Sequence, residues 1–291
     1  MKRDMGRGRK PGRKRRGISG EEQTIESRSS TPGPRRFELL NFADAAALAA
    51  AAADAWLGKI AGAKDAGETH CVALSGGRIA QRFFAAVVER VKETLKAEGD
   101  HQRSKLELCA PASGMGRVHF FWGDERCVPP DDPDSNYRMA REFLLGPLGI
   151  AEERIHRIRG EARPEIAARS AAEDLCRQCN RNAAGWPVLD LVFLGMGEEG
   201  HVASLFPGEP KVVMAGTDLY RPVIASKPPP RRITLGYGPI MAAREVWVLA
   251  SGTGKDKALR ESIETRGNTP LARVLKLRSK TKIFTDLTTA A

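Results

Sequence analysis

The chain has 291 residues, 47 Lys+Arg against 36 Asp+Glu, a net charge of +11 and 41% hydrophobic residues. These values suit a folded enzyme of one large or two small domains, and they exclude a collagenous, wholly disordered or disulfide-scaffold chain. No apolar run approaches the ~20 residues that cross a bilayer, and the Arg-rich start has no apolar stretch behind it to make a secretory signal.

Residues 1–16 carry nine Lys/Arg and only Asp4, so they hold eight of the eleven net positive charges. A Gly/Arg/Lys run cannot build a core, and Ser19–Pro34, rich in Ser, Glu, Pro and Gly, continues it as a linker. The expected organisation is a solvated basic arm over residues 1–36 and a folded domain over residues 37–291. Weak polyanion binding by the arm is the alternative, with no specific nucleic-acid site. In chain order, Asn41–Ile60 predicts an Ala-rich helix, Cys71–Leu74 a buried strand and Ile79–Lys96 a second helix. The polar segment 97–116 reads as a connection. Val118–Trp122 predicts a strand, Ser135–Leu145 a helix, Ile155–Ile158 extended chain, Glu165–Asn182 a helix and Leu189–Leu194 the strongest strand. Further strands are expected at Leu219–Ala225, Arg232–Leu235, Val246–Ala250 and Lys282–Phe284, and a helix at Lys255–Glu264. This alternation marks an α/β fold with a mainly parallel sheet, whose ligands sit outside the carboxyl ends of the strands.

Five cysteines, Cys71, Cys109, Cys127, Cys176 and Cys179, make an odd number in a chain of this length, which points to a reducing cytoplasm. Cys176 and Cys179 fall in a helical run with no second Cys or His pair, so single-turn spacing explains them better than a metal.

Three strand ends carry polar, Gly-rich turns. Ser75-Gly76-Gly77-Arg78 opens a helix with free N–H groups and a nearby cation; a phosphate cradle and a plain tight turn both satisfy it. Asp124 and Arg126 follow the second strand, where an Arg can clamp a phosphate or carboxylate and a surface ion-pair cluster is the alternative. Asp134-Ser135-Asn136 reads as the cap of the next helix. The third turn, Gly195-Met196-Gly197-Glu198-Glu199-Gly200-His201, contains a formal G-x-G-x-x-G. Pro207-Gly208 interrupts any long helix behind it and Asp218 precedes the next strand, which argues against a dinucleotide site. What these glycines present is His201, near the start of a short helix, as a general base.

The run Leu189 to Gly197 followed by Gly200-His201-Val202-Ala203-Ser204-Leu205-Phe206-Pro207-Gly208 resembles the signature of the 6-phosphogluconolactonases. Ala73 to Gly77, Trp122 to Arg126 with Val128-Pro129 and Ser135-Asn136, Arg232 to Leu235, Ser251-Gly252 with Lys255, and Thr269 to Asp286 agree in order. The resemblance implies a three-layer, Rossmann-like α/β sandwich of the sugar-phosphate isomerase and lactonase superfamily. It also implies hydrolysis of 6-phospho-D-glucono-1,5-lactone, the second step of the oxidative pentose phosphate pathway, with no cofactor and no metal. A monomer is favoured. In that frame His201 takes a proton from water and Asp124 orients the imidazole or the water. Ser75, Gly76, Gly77, Arg78, Arg126, Asn136 and Lys255 hold the phosphorylated sugar, and the N–H groups of Gly197 and Gly200 are oxyanion donors. Two positions depart from the family pattern: Arg78-Ile79-Ala80 replaces a small hydroxyl residue and often Thr-Pro, and Glu199 replaces Asp or Asn. Related glucosamine-6-phosphate deaminases would call for Ala-Phe-Asn-Glu after the Gly-His, where this chain has Ala203-Ser204-Leu205-Phe206. A silent sugar-phosphate sensor is the remaining alternative.

Overall fold

The computed structural model describes residues 37–62, 69–97 and 115–288; the expected arm and the centre of the 97–116 connection lie outside them. A six-stranded parallel sheet organises the chain, in the order β1-β9-β8-β5-β2-β3. Its strands are β1 (Phe37–Asn41), β2 (His70–Leu74), β3 (Val118–Trp122), β5 (Leu191–Gly195), β8 (Glu245–Ala250) and β9 (Thr281–Thr285). Helices α1 (Ala45–Gly62) and α2 (Arg78–Ala97) accompany the first two crossovers. From β3 onward the chain crosses in the opposite direction, through α4 (Pro164–Gln178) to β5 and onward to β8 and β9. Right-handed crossovers therefore put α1 and α2 on one face and the later helices on the other, giving three layers. Strand connections diverge between β2 and β5, the place where an α/β sheet opens a crevice at its carboxyl edge.

The core begins at that divide. Trp56 of α1 packs against Phe83 of α2 at 5.7 Å between ring centroids, and against Phe193 of β5 at 5.5 Å. All three rings are buried, as are the apolar runs of β2, β3 and β5. A central parallel sheet covered on both faces reads as such runs rather than as alternation.

A second, antiparallel sheet has the order β4-β7-β6, made of β4 (Asp124–Arg126), β7 (Arg231–Leu235) and β6 (Tyr220–Ile224). Gly123 alone separates β3 from β4. Its N–H donates to Leu74 O at 2.8 Å and its carbonyl accepts from Leu235 N–H at 2.7 Å, so one residue joins both sheets.

Most expected elements form, with boundary shifts of a few residues. The helix expected from Asn41 starts at Ala45, because residues up to Asn41 pair with β9 and Asp44 then caps the helix by accepting from the N–H groups of Ala46 and Ala47. Ser135 caps α3 (Asn136–Ala140) as expected, accepting from Arg138 N–H, and the helix continues as one wide turn over Arg141–Leu145. Of the extended chain at Ile155–Ile158, only Ile155 bridges, to Phe120. Short helices α5 (Lys211–Met214) and α6 (Tyr237–Ala242) and the longer α8 (Pro270–Leu277) are additional, beside the expected α7 (Asp256–Ile263).

Candidate active site

A cleft of about 290 Å³ opens at the carboxyl ends of β2, β5 and β8. Ser75, Gly76, Gly77, Arg78, Asp124, Arg126, Asn136, Gly197, His201 and Lys255 all line it, so four distant stretches of sequence converge. Gly195 N–H donates to Ser75 Oγ at 2.9 Å and ties the end of β5 to the end of β2. Gly76 is a close-approach glycine: a Cβ there would fall on the Asn136 side-chain amide. Asn136 Nδ2 in turn donates to Asp124 O at 2.9 Å and lies 3.4 Å from Asp124 Oδ1. Asp124 Oδ2 accepts from Ser204 Oγ at 2.6 Å. The phosphate-type turn, the acidic strand end and the histidine loop are thus knitted together through Asn136 and Asp124.

Glu125 fixes the other side of this loop. Its buried carboxylate, 2% exposed, accepts from the N–H groups of Arg126, Asn136 and Tyr137 at 2.7 to 2.8 Å and from Ser135 Oγ at 3.1 Å. Burial pushes its pKa up to about 7 despite the three backbone N–H donors that favour the charge.

His201 sits in a tight turn closed by a Met196–Val202 bridge. Gly200 takes φ +77°, and Ala203 takes φ +49°, an uncommon left-handed conformation for a residue with a Cβ. Residues after His201 form turns, with no helix until the four-residue α5, so the short helix expected to start near His201 is absent and the glycines do not open a dinucleotide fold. Helix α8 braces the turn instead. Thr269 packs against Gly200, and Leu271 N–H donates to Gly200 O at 3.1 Å.

The oxyanion expectation for this turn is corrected by its hydrogen bonds. Gly197 N–H donates to His201 O at 2.9 Å and Gly200 N–H to Gly197 O at 3.0 Å, because a turn this tight consumes its own donors. Gly200 also faces Thr269 and is not part of the cleft lining.

The carboxylate beside the imidazole is Glu199, with Oε1 at 3.1 Å from His201 Nδ1, an ion-pair distance without full hydrogen-bond alignment. Asp124 is engaged by Ser204 and Asn136 and acts on His201 through its charge. Burial lowers the His201 pKa below the ordinary 6.5, more than Glu199 and Asp124 raise it, and Arg232 lowers it further. Burial lowers Lys255 as well, with Arg78 as the next cause. Arg232, Lys227, Glu198 and Ser251 also line the wall, and sequence reasoning left them unassigned to the site. Arg232 and Ser251 had a signal as members of resembling blocks and Glu198 as part of the glycine turn, whereas Lys227 had none; the pairing that brings Arg232 opposite Arg126 is long-range. Among the described residues, no group of three or more His, Cys, Asp or Glu is placed to hold a metal ion.

Residues 43–284 match the family model described as glucosamine-6-phosphate isomerases/6-phosphogluconolactonase. The 6-phosphogluconolactonase of Streptomyces coelicolor is 32% identical over 240 residues, covering 79% of this chain and 84% of that protein. That of Mycobacterium tuberculosis is 36% identical over 200 residues, covering 66% and 81%. The solved 6-phosphogluconolactonase of Trypanosoma brucei superposes with a TM-score of 0.70 at 27% identity, over 86% of this chain and 96% of that one. The chain belongs to the glucosamine-6-phosphate isomerase/6-phosphogluconolactonase family.

Proposed function

We propose that the protein hydrolyses 6-phospho-D-glucono-1,5-lactone to 6-phosphogluconate, with His201 as the general base. The observation that carries the chemistry is a half-buried imidazole, kept neutral near pH 7 and backed by Glu199, in a cleft that Arg78 and Lys255 also line. The lactonase names of the relatives support the substrate.

In this reading the phosphate lies against Ser75, Gly76 and Gly77 at the start of α2, where N–H groups and the helix terminus favour an anion, and Arg78 and Lys255 neutralise it. Glu199 holds the imidazole through Nδ1, leaving Nε2 to take a proton from water as its oxygen bonds to C1. Asp124 helps orient that water. The tetrahedral intermediate collapses by breaking the bond between C1 and the ring oxygen, which receives the proton back from His201. Fixing water, base and lactone in one cleft supplies the entropic part of the acceleration. The free thiols Cys71, Cys127, Cys176 and Cys179 suit a reducing compartment, and we place the reaction in the cytoplasm.

The test is hydrolysis of freshly generated 6-phosphogluconolactone beside unphosphorylated gluconolactone. Turnover well above the spontaneous rate, strongly favouring the phosphorylated lactone and reduced about 10²- to 10⁴-fold in His201→Ala, is the expected result. Near-wild-type turnover in the variant rejects the base, and ammonia release from glucosamine 6-phosphate by the wild type would favour a deaminase instead.

A further inference from the structure

The cleft carries more positive charge than one phosphate needs, and the excess is sorted in space. Arg78 and Lys255 stand together beside Gly252, where a Cβ would lie 3.9 Å from Arg78 Nη2 and 4.0 Å from Lys255 Cε. Arg126 and Arg232 form a second pair, as direct cross-strand partners between β4 and β7. Like charges in that position destabilise a sheet unless something relieves them.

What fixes these two guanidiniums is main chain. Arg126 Nη1 donates to Asp134 O at 2.7 Å, while Arg232 Nε and Nη2 donate to Pro229 O at 3.0 Å and Lys227 O at 3.2 Å. Both side chains are therefore held in place by neutral acceptors, and Arg232 is only 7% exposed. The Arg232 guanidinium also lies 5.8 Å over the Phe206 ring, which packs 4.9 Å from the His201 ring. Arg232 thus stands at the base's end of the cleft. The N–H groups of Gly197 and Gly200 are spent inside the turn, so the charge that develops on the carbonyl oxygen needs another partner.

We propose that Arg232, backed by Arg126, is a catalytic residue that holds the C1 oxygens, first as the tetrahedral oxyanion and then as the product carboxylate. The proposal rests on the lactonase reading. As water bonds to C1 and His201 takes the proton, the carbonyl electron pair moves onto the oxygen facing Arg232. When the C1 to ring-oxygen bond breaks and His201 returns its proton to the leaving oxygen, the new carboxylic acid loses its own proton to solvent. The carboxylate remains opposite the guanidinium fork.

The experiment compares two ligands by titration calorimetry: 6-phosphogluconate, and D-glucitol 6-phosphate, which keeps the phosphate but has a neutral hydroxymethyl at C1. Wild-type protein is expected to bind phosphogluconate at least about tenfold more tightly. Arg232→Met brings that ratio close to one by weakening phosphogluconate alone, and lowers kcat about 10²-fold with a smaller change in KM. Arg232→Lys keeps the charge without the planar fork and retains part of both effects; it carries the test if the Met variant does not fold. Lys255→Met weakens both ligands alike. Equal weakening of both ligands by Arg232→Met, no weakening of either, or a wild type without preference overturns the assignment. Absence of lactone hydrolysis by the wild type overturns the lactonase reading instead, and the ligand ratio still decides which end Arg232 serves.

Discussion

At the residue scale, the proposal that His201 is the base makes its protonation the expected determinant of the pH range of activity. Only the neutral imidazole accepts a proton, and burial places its pKa below 6.5, so the acid limb of kcat/KM is expected below that value. Glu199 is the largest influence opposing burial, so Glu199→Gln should move the limb to still lower pH while reducing kcat. The substrate phosphate titrates near pH 6 as well, so the displacement between wild type and variant is the readout. A limb at or above 6.5 contradicts the dominance of burial, and one that Glu199→Gln leaves in place contradicts the pairing. His201 was legible in the sequence because glycines after a strong strand expose whatever follows them. Its partner was not: adjacency in the chain favours Glu199 and the motif favours Asp124, and only the folded turn shows which carboxylate reaches Nδ1.

At the scale of elements, the strands and long helices were readable because each supplies its own period or its own apolar run. β1 was missed because Phe37-Glu38-Leu39-Leu40-Asn41 has no β-branched residue and gains its structure from pairing with β9. The same holds for β4, three charged residues that read as a turn until β7 lies beside them. Helix α8 announced itself more clearly, through Thr269 as cap and Pro270 in its first turn, a signal that sequence reasoning passed over. The contact between the α2 turn and α3 makes a sharp prediction. Gly76→Ala inserts a methyl group where the Asn136 amide stands, and displacing Asn136 releases Asp124 from its backbone anchor. Activity is expected to fall on the order of 10²-fold with the circular dichroism spectrum unchanged, since misplacement by about 1 Å has that effect. Wild-type rates in Gly76→Ala would show that Asn136 does not transmit position to the site.

At the scale of the molecule, composition and alternation sufficed for the α/β class, whereas strand order and the small antiparallel sheet depend on long-range pairing. Most of the net charge falls in the expected arm, outside the described residues, whereas the cleft is lined by residues between Ser75 and Lys255. Removal of residues 1–34 is therefore expected to leave kcat/KM unchanged while abolishing retention on a polyanion column, a retention that falls steeply with salt. A tenfold loss of kcat/KM on truncation would make the arm part of the catalytic apparatus. The single-residue joint at Gly123 has a last consequence, for how this protein tolerates change in length. Surface connections can gain or lose residues at small thermodynamic cost. An insertion at Gly123 would slide β4 along β7 and turn Asp124 and Arg126 away from the cleft together, so this is where length itself is under functional constraint.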